Sequence, residues 1–502
     1  MDPLVAEEGA KPLPDPRRSD RALTLLLLAF TGLLFLELPG SHLLEPDEAR
    51  YAEIPREMLK TGDWVTPRIN QQPYFEKPPL LYWVNGAALA VFGENPYAAR
   101  LASRLSALAT AAMLLFALGQ RPRSGEGRLA ALIFLSSLLP FALARMNLID
   151  TLLTASMTAC LLALRDFARR RERGESGLWS LVAAGAAAAA GTLAKGLVGA
   201  LLPGAIFLAW VLLVKRGRLL REVLWSPAPF VFLLLTAPWF GAMERANPGF
   251  QELFLLREHF ARFTEGAKRS QPFFYFLPVL VLGFLPWIAF LPRAVASLRA
   301  FRKSWTRERP DDLYFLLWAA VVFLFFSLSR SKLVPYILPM FPALAAIWAK
   351  ALAAGPRTLR APLRVAAVTA VVFLGLVLAQ PSGTRNLTAH PFVEAVRRYR
   401  VPGSSLVTYH TYLHGLPWEL KEPVPMASWV GELRPAYLRN PEHPLFWQEH
   451  DFWKRWNAGE KLIVLTRVRD RGEFRTRSSG PVTHLATVGK HVLLANFTGG
   501  AP

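Results

Sequence analysis

Apolar runs close to the thickness of a bilayer core recur from residue 22 to residue 380, and they limit the fold more than any other feature. A helix needs about 20 mostly apolar residues to cross hydrocarbon. Runs of this kind cover 22–40, 98–118, 129–145, 148–164, 178–194, 197–214, 223–241, 274–292, 313–328, 333–351 and 365–380. They predict an α-helical polytopic membrane protein with about eleven spans. The first run follows Arg17, Arg18 and Arg21, as the core of a signal peptide would. No small-residue cleavage site follows it, so it reads as an uncleaved first helix.

Charge sets the orientation. With the N-terminus in the cytoplasm, the inside gaps become QRPRSGEGR, RDFARRRERGESG, KRGRLLRE, RAVASLRAFRKSWTRERPDD and KALAAGPRTLRAPLR, all dense in Arg and Lys. The outside gaps are 41–97, RMNLID, LAKGL, 242–273, SRSKL and the segment after about 381. That alternation obeys the positive-inside rule. It also accounts for much of the formal net charge of +21, which therefore argues for membrane lipid and not for nucleic acid as a partner. A single cysteine, Cys160, excludes internal disulfides and any multi-cysteine metal site.

The chain divides into a cytoplasmic tail (1–21), a transmembrane domain (22–380) and a small α/β domain (385–502) on the outer side. The first outer loop, 41–97, contains LLEPDEARYAEIPREM. There Pro46 suits a first helical turn, and Asp47, Arg50 and Tyr51 share one face. Pro55 is expected to kink or end that helix. LLYWVNGAALAVFG is too short to span and is expected to lie along the surface, with Tyr82 and Trp83 at the interface. In 385–502, AHPFVEAVRRYR reads as a helix, SSLVTYH and EKLIVLTRV as strands, and VTHLATVGKHVLLANF as a hairpin.

Separate loops gather ionisable side chains on the outer face: Asp47, Glu48, Glu76, Lys77, Asp150, Lys195, His259, Arg262 and Lys332, with Tyr336 beside them. An ionisable group at a span end is a functional candidate by default. Carboxylates among several cations suit a phosphorylated lipid donor and an acceptor that must be positioned or activated. Helix capping is the competing reading for Asp47 and Asp150, and interfacial snorkelling for Lys195. His410 and His414 stand four apart without a further ligand at metal spacing, and read as solvated surface histidines.

DEARYAEIPREMLKTGDWVTPRI…PYFEKPPLLYW resembles the first outer loop of the aminoarabinose (lipid A) transferases, GT-C glycosyltransferases related to protein O-mannosyltransferases. The resemblance continues in RMNLIDTLLT, GTLAKGLVGALLPG, APWFGAMERANPGFQELFLLREHFARF, QPFFYFLPVLVLGFLPW and FFSLSRSKLVPYILPMFPALA, in order through residues 22–350. It implies a GT-C fold, with thirteen spans typical of the family where this chain shows about eleven. It further implies Asp47 as catalytic carboxylate, with Asp150 near the sugar and Glu48 alongside. Lys77, Lys195, Arg262 and Tyr336 fall on the polyprenyl-phosphate positions, and Arg50 and Lys332 lie beside them. Glu76 matches a divalent-metal ligand. The family often reads His-Glu-His where this chain has Arg257, Glu258 and His259, so His259 would have to serve as the second ligand.

The resulting expectation is a bacterial inner-membrane glycosyltransferase with a periplasmic active site. It would move aminoarabinose or a related sugar from undecaprenyl phosphate to lipid A or another envelope acceptor. Transfer to protein hydroxyls or another glycan is the alternative. A transporter fits less well, because the charges collect at one face and no repeat is visible.

Overall fold

The computed structural model describes residues 16–119, 125–254, 270–300, 310–353 and 359–498. Each apolar run is helical. Six helices among the described residues are long and apolar enough to cross a membrane, or up to nine if each bent pair is one span. The six include Pro96–Leu118 (α4), Ile149–Glu172 (α7) and Leu178–Lys195 (α8). Pro310–Leu328, Val334–Leu352 and the long helix from Arg360 complete them. Pro16–Phe35 (α1) and the 16-residue Val198–Leu213 (α9) account for the two remaining runs. Leu201, Leu212, Phe230, Leu233, Val371 and Val372 are exposed large hydrophobics, as a lipid-facing surface requires.

Three of the runs are bent pairs of helices. Glu126–Ser136 and Leu138–Ala144 meet at 68°, and Phe273–Gly283 and Trp287–Arg299 at 93°. Backbone freed at such depth must find a partner inside the protein. Here the two breaks satisfy each other: Leu138 N donates to Leu285 O at 2.9 Å, and Trp287 Nε1 to Ser136 Oγ at 3.0 Å. Elsewhere helices approach closely through small residues. A Cβ on Gly199 would lie 2.1 Å from the Gly191 backbone, so α8 and α9 touch there without side chains between them.

At the opposite end of the bundle, Asp311 pairs with Arg165 (3.0 Å) and Arg169, and Asp312 pairs with Lys350. The first outer loop lies at the other end. Its helix Asp47–Thr61 (α2) continues past Pro55, so the ending that the sequence allowed there does not occur. Proline leaves the carbonyl four residues earlier without its N–H. That carbonyl, Tyr51 O, accepts Asn85 Nδ2 at 3.1 Å instead, so the helix continues. Asn85 sits on Leu80–Phe92 (α3), which packs on α2 with Tyr82 fully buried and not at the interface. Gly62, at φ 72°, caps α2 in a conformation other residues adopt with strain.

The first outer loop carries a short antiparallel pair, Arg68–Ile69 (β1) and Gln72–Pro73 (β2). The strands of the C-terminal region are Ser405–Tyr409 (β3), Met426–Ala427 (β4), Phe446–Trp447 (β5), Leu462–Arg467 (β6), Thr483–Val488 (β7) and His491–Ala495 (β8), and they form a six-stranded sheet in the order β5-β4-β3-β6-β8-β7. β5, β4, β3 and β6 are parallel, and the β7–β8 hairpin closes the edge antiparallel to β6. One face buries Val407, Tyr409, Val464 and Leu494 under Phe452, Trp453, Trp456 and Phe474. The other buries Leu406, Ile463, Leu465 and Leu493 in the core shared with the helical domain.

Two long-range contacts hold this domain on the first loop. Asn70 exchanges hydrogen bonds with Val424 (2.7 and 2.8 Å), and Glu45 accepts His414 N and Gly415 N at 3.0 and 2.6 Å.

Burial, with Glu53 beside it, pushes the Glu57 carboxyl of α2 up to about 8. A raised carboxyl favours the folded state most below the unfolded value of about 4.5, and stability falls as pH rises from there towards 8. Glu57→Gln is therefore expected to raise the melting temperature at pH 8 and to flatten its decline between pH 5 and 8. Thermal unfolding of the purified chain in detergent across that range reads both.

Candidate active site

Local helix geometry brings the outer-face residues together. α7 and α8 run antiparallel, so the first turn of α7 meets the last turn of α8. Asp150 begins α7, where the dipole favours an anion, and Lys195 ends α8, where it favours a cation. The two are ion-paired, and the Lys195 ammonium lies 4.3 Å from the centre of the Tyr336 ring. Three separated segments thus place Asp150, Lys195 and Tyr336 in one contact.

Asp47 opens α2 and pairs with Arg50 one turn later. It keeps 38% of its side chain exposed, and of the two carboxylates in the helix's first turn it is the one that faces open space. Arg50 is buried. Its Nη1 donates to Glu432 Oε1 of the C-terminal domain at 3.2 Å, and its guanidinium lies 5.1 Å from the Tyr51 ring and 5.9 Å from that of Tyr74. Tyr74 in turn donates to Glu76 Oε2 at 3.3 Å, and Lys77 Nζ donates to Glu76 O at 3.1 Å.

Tyr51 is the centre of this arrangement. Burial pushes its phenol above the ordinary range and Arg50 opposes that. Negative charge on Asp47, Asp150 and Glu76 acts on it in the same direction as burial. Those three carboxylates belong to three parts of the chain.

Two sequence expectations change. Glu48 is 1% exposed and both its oxygens are occupied. Arg100 Nε and Nη2 bind them at 2.8 and 2.9 Å, Leu44 N at 3.0 Å and Asn147 N at 2.8 Å. With both oxygens engaged by the protein, this carboxylate holds structure and does not face the open space that Asp47 faces. Lys332 is 4% exposed and turned to backbone, donating to Ser329 O and to Gln271 O at 3.1 Å. It fixes the 329–333 turn and is not a phosphate ligand. Arg50, taken between Asp47 and Glu432, orients a carboxylate before it meets any phosphate. Arg262 and His259, with Arg257 and Glu258, lie outside the described residues.

Several contributors escaped the sequence reading. Glu432 accepts from Arg50 and pairs with His414 Nε2 at 2.9 Å. Burial alone would raise its carboxyl, but His414 and Arg50 together hold it far below the usual range. His414 is 3% exposed, against the expectation of a solvated surface histidine. It does not share a helix with His410, whose Nδ1 lies 3.7 Å from Asp470. Arg100 and Arg104 were findable as arginines four apart within an apolar span.

Beside Asp47 opens a cleft of about 810 Å³ between the helical domain and the sheet. Leu143, Met146, Leu148, Val334, Pro335 and Leu387 line the helical side, and Arg467, Lys490 and His491 the sheet side. Burial, then Lys490 and Arg467, push His491 down to about 4, leaving it neutral at physiological pH.

A membrane-embedded helical domain, a sheet domain clamped to its first outer loop, and carboxylates and cations converging at one end define a GT-C glycosyltransferase that uses a polyprenyl-phosphate donor. Comparison with known proteins agrees. The dolichyl-phosphate-mannose-protein mannosyltransferase family model matches residues 23–254. An undecaprenyl phosphate-alpha-4-amino-4-deoxy-L-arabinose arabinosyl transferase of Enterobacter sp. (strain 638) is 33% identical over 443 residues, 84% of this chain and 77% of the relative. One of the same name from Pectobacterium carotovorum is 38% identical over 66% of this chain and 60% of the relative. The crystal structure of ArnT from Cupriavidus metallidurans bound to undecaprenyl phosphate superposes with a TM-score of 0.80 at 27% identity, covering 96% of this chain and 98% of that one. The oligosaccharyltransferase of Archaeoglobus fulgidus shares the fold at a TM-score of 0.56 and 16% identity. The chain belongs to the undecaprenyl phosphate-aminoarabinose arabinosyl transferase family.

If Glu432 orients Arg50, and Arg50 orients Asp47, loosening the clamp should slow turnover without abolishing the fold. Glu432→Gln is expected to lower kcat by roughly tenfold to a hundredfold while donor KM changes little. Steady-state kinetics with varied donor, beside a thermal melt, check this.

Proposed function

We propose that this enzyme transfers aminoarabinose from undecaprenyl phosphate to a phosphate group of lipid A at the periplasmic face of a bacterial inner membrane. The N-terminus is cytoplasmic and the sheet domain periplasmic. Two observations support the donor: the family relationship, and the Lys195 cation at a span end beside Asp150 and Tyr336. The observation that carries the acceptor is the cleft at Asp47. An apolar wall faces Arg467 and Lys490 across it, as an acylated, phosphorylated acceptor requires.

Lys77, Lys195 and Arg262 hold the donor phosphate, with Tyr336 against Lys195. The Asp150 carboxylate keeps the Lys195 ammonium at the site until the phosphate replaces it as counter-charge. Asp47 positions the acceptor oxygen for attack on the anomeric carbon. The bond from that carbon to the donor phosphate oxygen breaks, a bond to the acceptor oxygen forms, and undecaprenyl phosphate leaves with the electron pair. A phosphate acceptor is already ionised, so Asp47 orients it and no strong base is needed. The cations stabilise charge as it grows on the leaving phosphate. A divalent ion held by Glu76 and His259 would add to that neutralisation.

Mass spectrometry of lipid A and envelope glycans, with and without the protein, tests the reading. The added sugar is expected on lipid A; appearance on protein or on another glycan alone overturns the acceptor assignment. In a membrane transfer assay, Asp47→Asn and Lys77→Ala are each expected to lower activity by about a hundredfold or more. Full activity in both would sink the mechanism. Arg467→Ala with Lys490→Ala is expected to raise acceptor KM about tenfold or more at nearly constant kcat.

A further inference from the structure

We propose that His42, His390 and Glu419 form a binding site for a divalent transition-metal ion, zinc by its donor set, that fastens the first outer loop to the C-terminal domain. The residues come from three places: the segment between α1 and α2, the start of helix His390–Tyr399, and helix Gly415–Leu420. Their ligand atoms all lie within 4.8 Å of one another. The Glu419 carboxylate offers one oxygen to each imidazole, Oε1 to His42 Nδ1 at 3.5 Å and Oε2 to His390 Nδ1 at 2.7 Å. The rings are stacked, with centroids 3.5 Å apart and planes at 19°.

The chemistry favours a metal over a plain ion pair. Stacked face to face, the two imidazoles both turn Nδ1 toward the one carboxylate. Two imidazoles and a carboxylate suit zinc and its neighbours, whereas magnesium and calcium take oxygen ligands. Tetrahedral zinc holds nitrogen and oxygen at about 2.0–2.2 Å, which sets neighbouring ligands roughly 3.3 Å apart. The 3.5 Å and 2.7 Å separations lie on either side of that value, and one ring must turn out of the stack for both lone pairs to meet at one ion.

The surroundings are those of a metal site. Glu394 Oε1 lies 3.3 Å from His390 Nε2, the kind of carboxylate contact that orients a ligating imidazole. Arg385 holds Glu394 in turn. Arg100 Nη2 fixes the His42 carbonyl at 2.8 Å, and Arg397 Nη2 the Glu419 carbonyl at 2.9 Å. All three ligands are half-buried, so an ion can enter from solvent and water can take the fourth position. The site is separate from Glu76 and does not depend on the transfer reaction.

The test uses the full chain in detergent, stripped with chelator and titrated with Co²⁺ and then Zn²⁺. One equivalent of Co²⁺ is expected to give the visible bands of a tetrahedral site. Zn²⁺ is expected to displace it and to raise the melting temperature. Those bands are expected to vanish in His42→Gln and Glu419→Gln, to weaken about tenfold in affinity in Glu394→Gln, and to persist in Glu76→Gln. Absence of Co²⁺ uptake by the wild-type chain overturns the site and leaves a pH-dependent ion pair in its place. So do bands indifferent to Glu394→Gln and Glu419→Gln. If His42→Gln does not fold, the wild-type spectrum and Glu394→Gln still decide.

Discussion

The Glu48 carboxylate is where the outer face is tied together. Buried charge is tolerable only when paired and fully hydrogen-bonded, and Glu48 is both. Its partners belong to the exit of the first span, to α4 and to the turn that starts α7. Arg100 extends the lattice to Glu37, and Asn147 links it to Asn85 and so to the backbone of α2. Removing one member would strand the others in a dry environment. Asp47 is exposed and usable partly because its neighbour in sequence is wholly committed.

The same division of labour runs through the site. Lys332 and Glu48 consume their charge on backbone and scaffold, while Lys195 and Asp47 hold theirs against single opposite partners at the edge of open space. Chemistry at the membrane surface needs charges that are ordered yet able to change partner. Helix termini supply the order cheaply for Asp150 and Lys195, and a buried arginine supplies it for Asp47. The broken spans follow a similar economy, since one interruption furnishes the hydrogen bond the other lacks.

Much of this was readable in the amino acids. Every apolar run is a helix, and the helix, strand and hairpin expectations for 385–502 hold for the segments named. The short parallel strands β4 and β5 were not visible, because two residues carry no periodicity. Of the kink or end expected at Pro55, the end does not occur because a side chain 30 positions later in sequence replaces the missing donor, which no local rule can see. Glu48 and Asp47 look alike in sequence, and only tertiary contact separates the buried one from the exposed one. Glu432 and His414 were invisible as site residues because their role exists only once the two domains meet.

That meeting has a bearing on biosynthesis. The antiparallel bridge of Leu44 with Thr388, and the grips of Glu45 on His414 and Asn70 on Val424, join residues made early to residues made almost last. The ribosome delivers the first outer loop long before the sheet that clamps it. Until the final hundred or so residues have been made and folded, Arg50 has no Glu432. The nascent chain thus carries Asp47 and Arg50 through insertion without the Glu432 contact, and that alignment arrives as the last step of its own assembly.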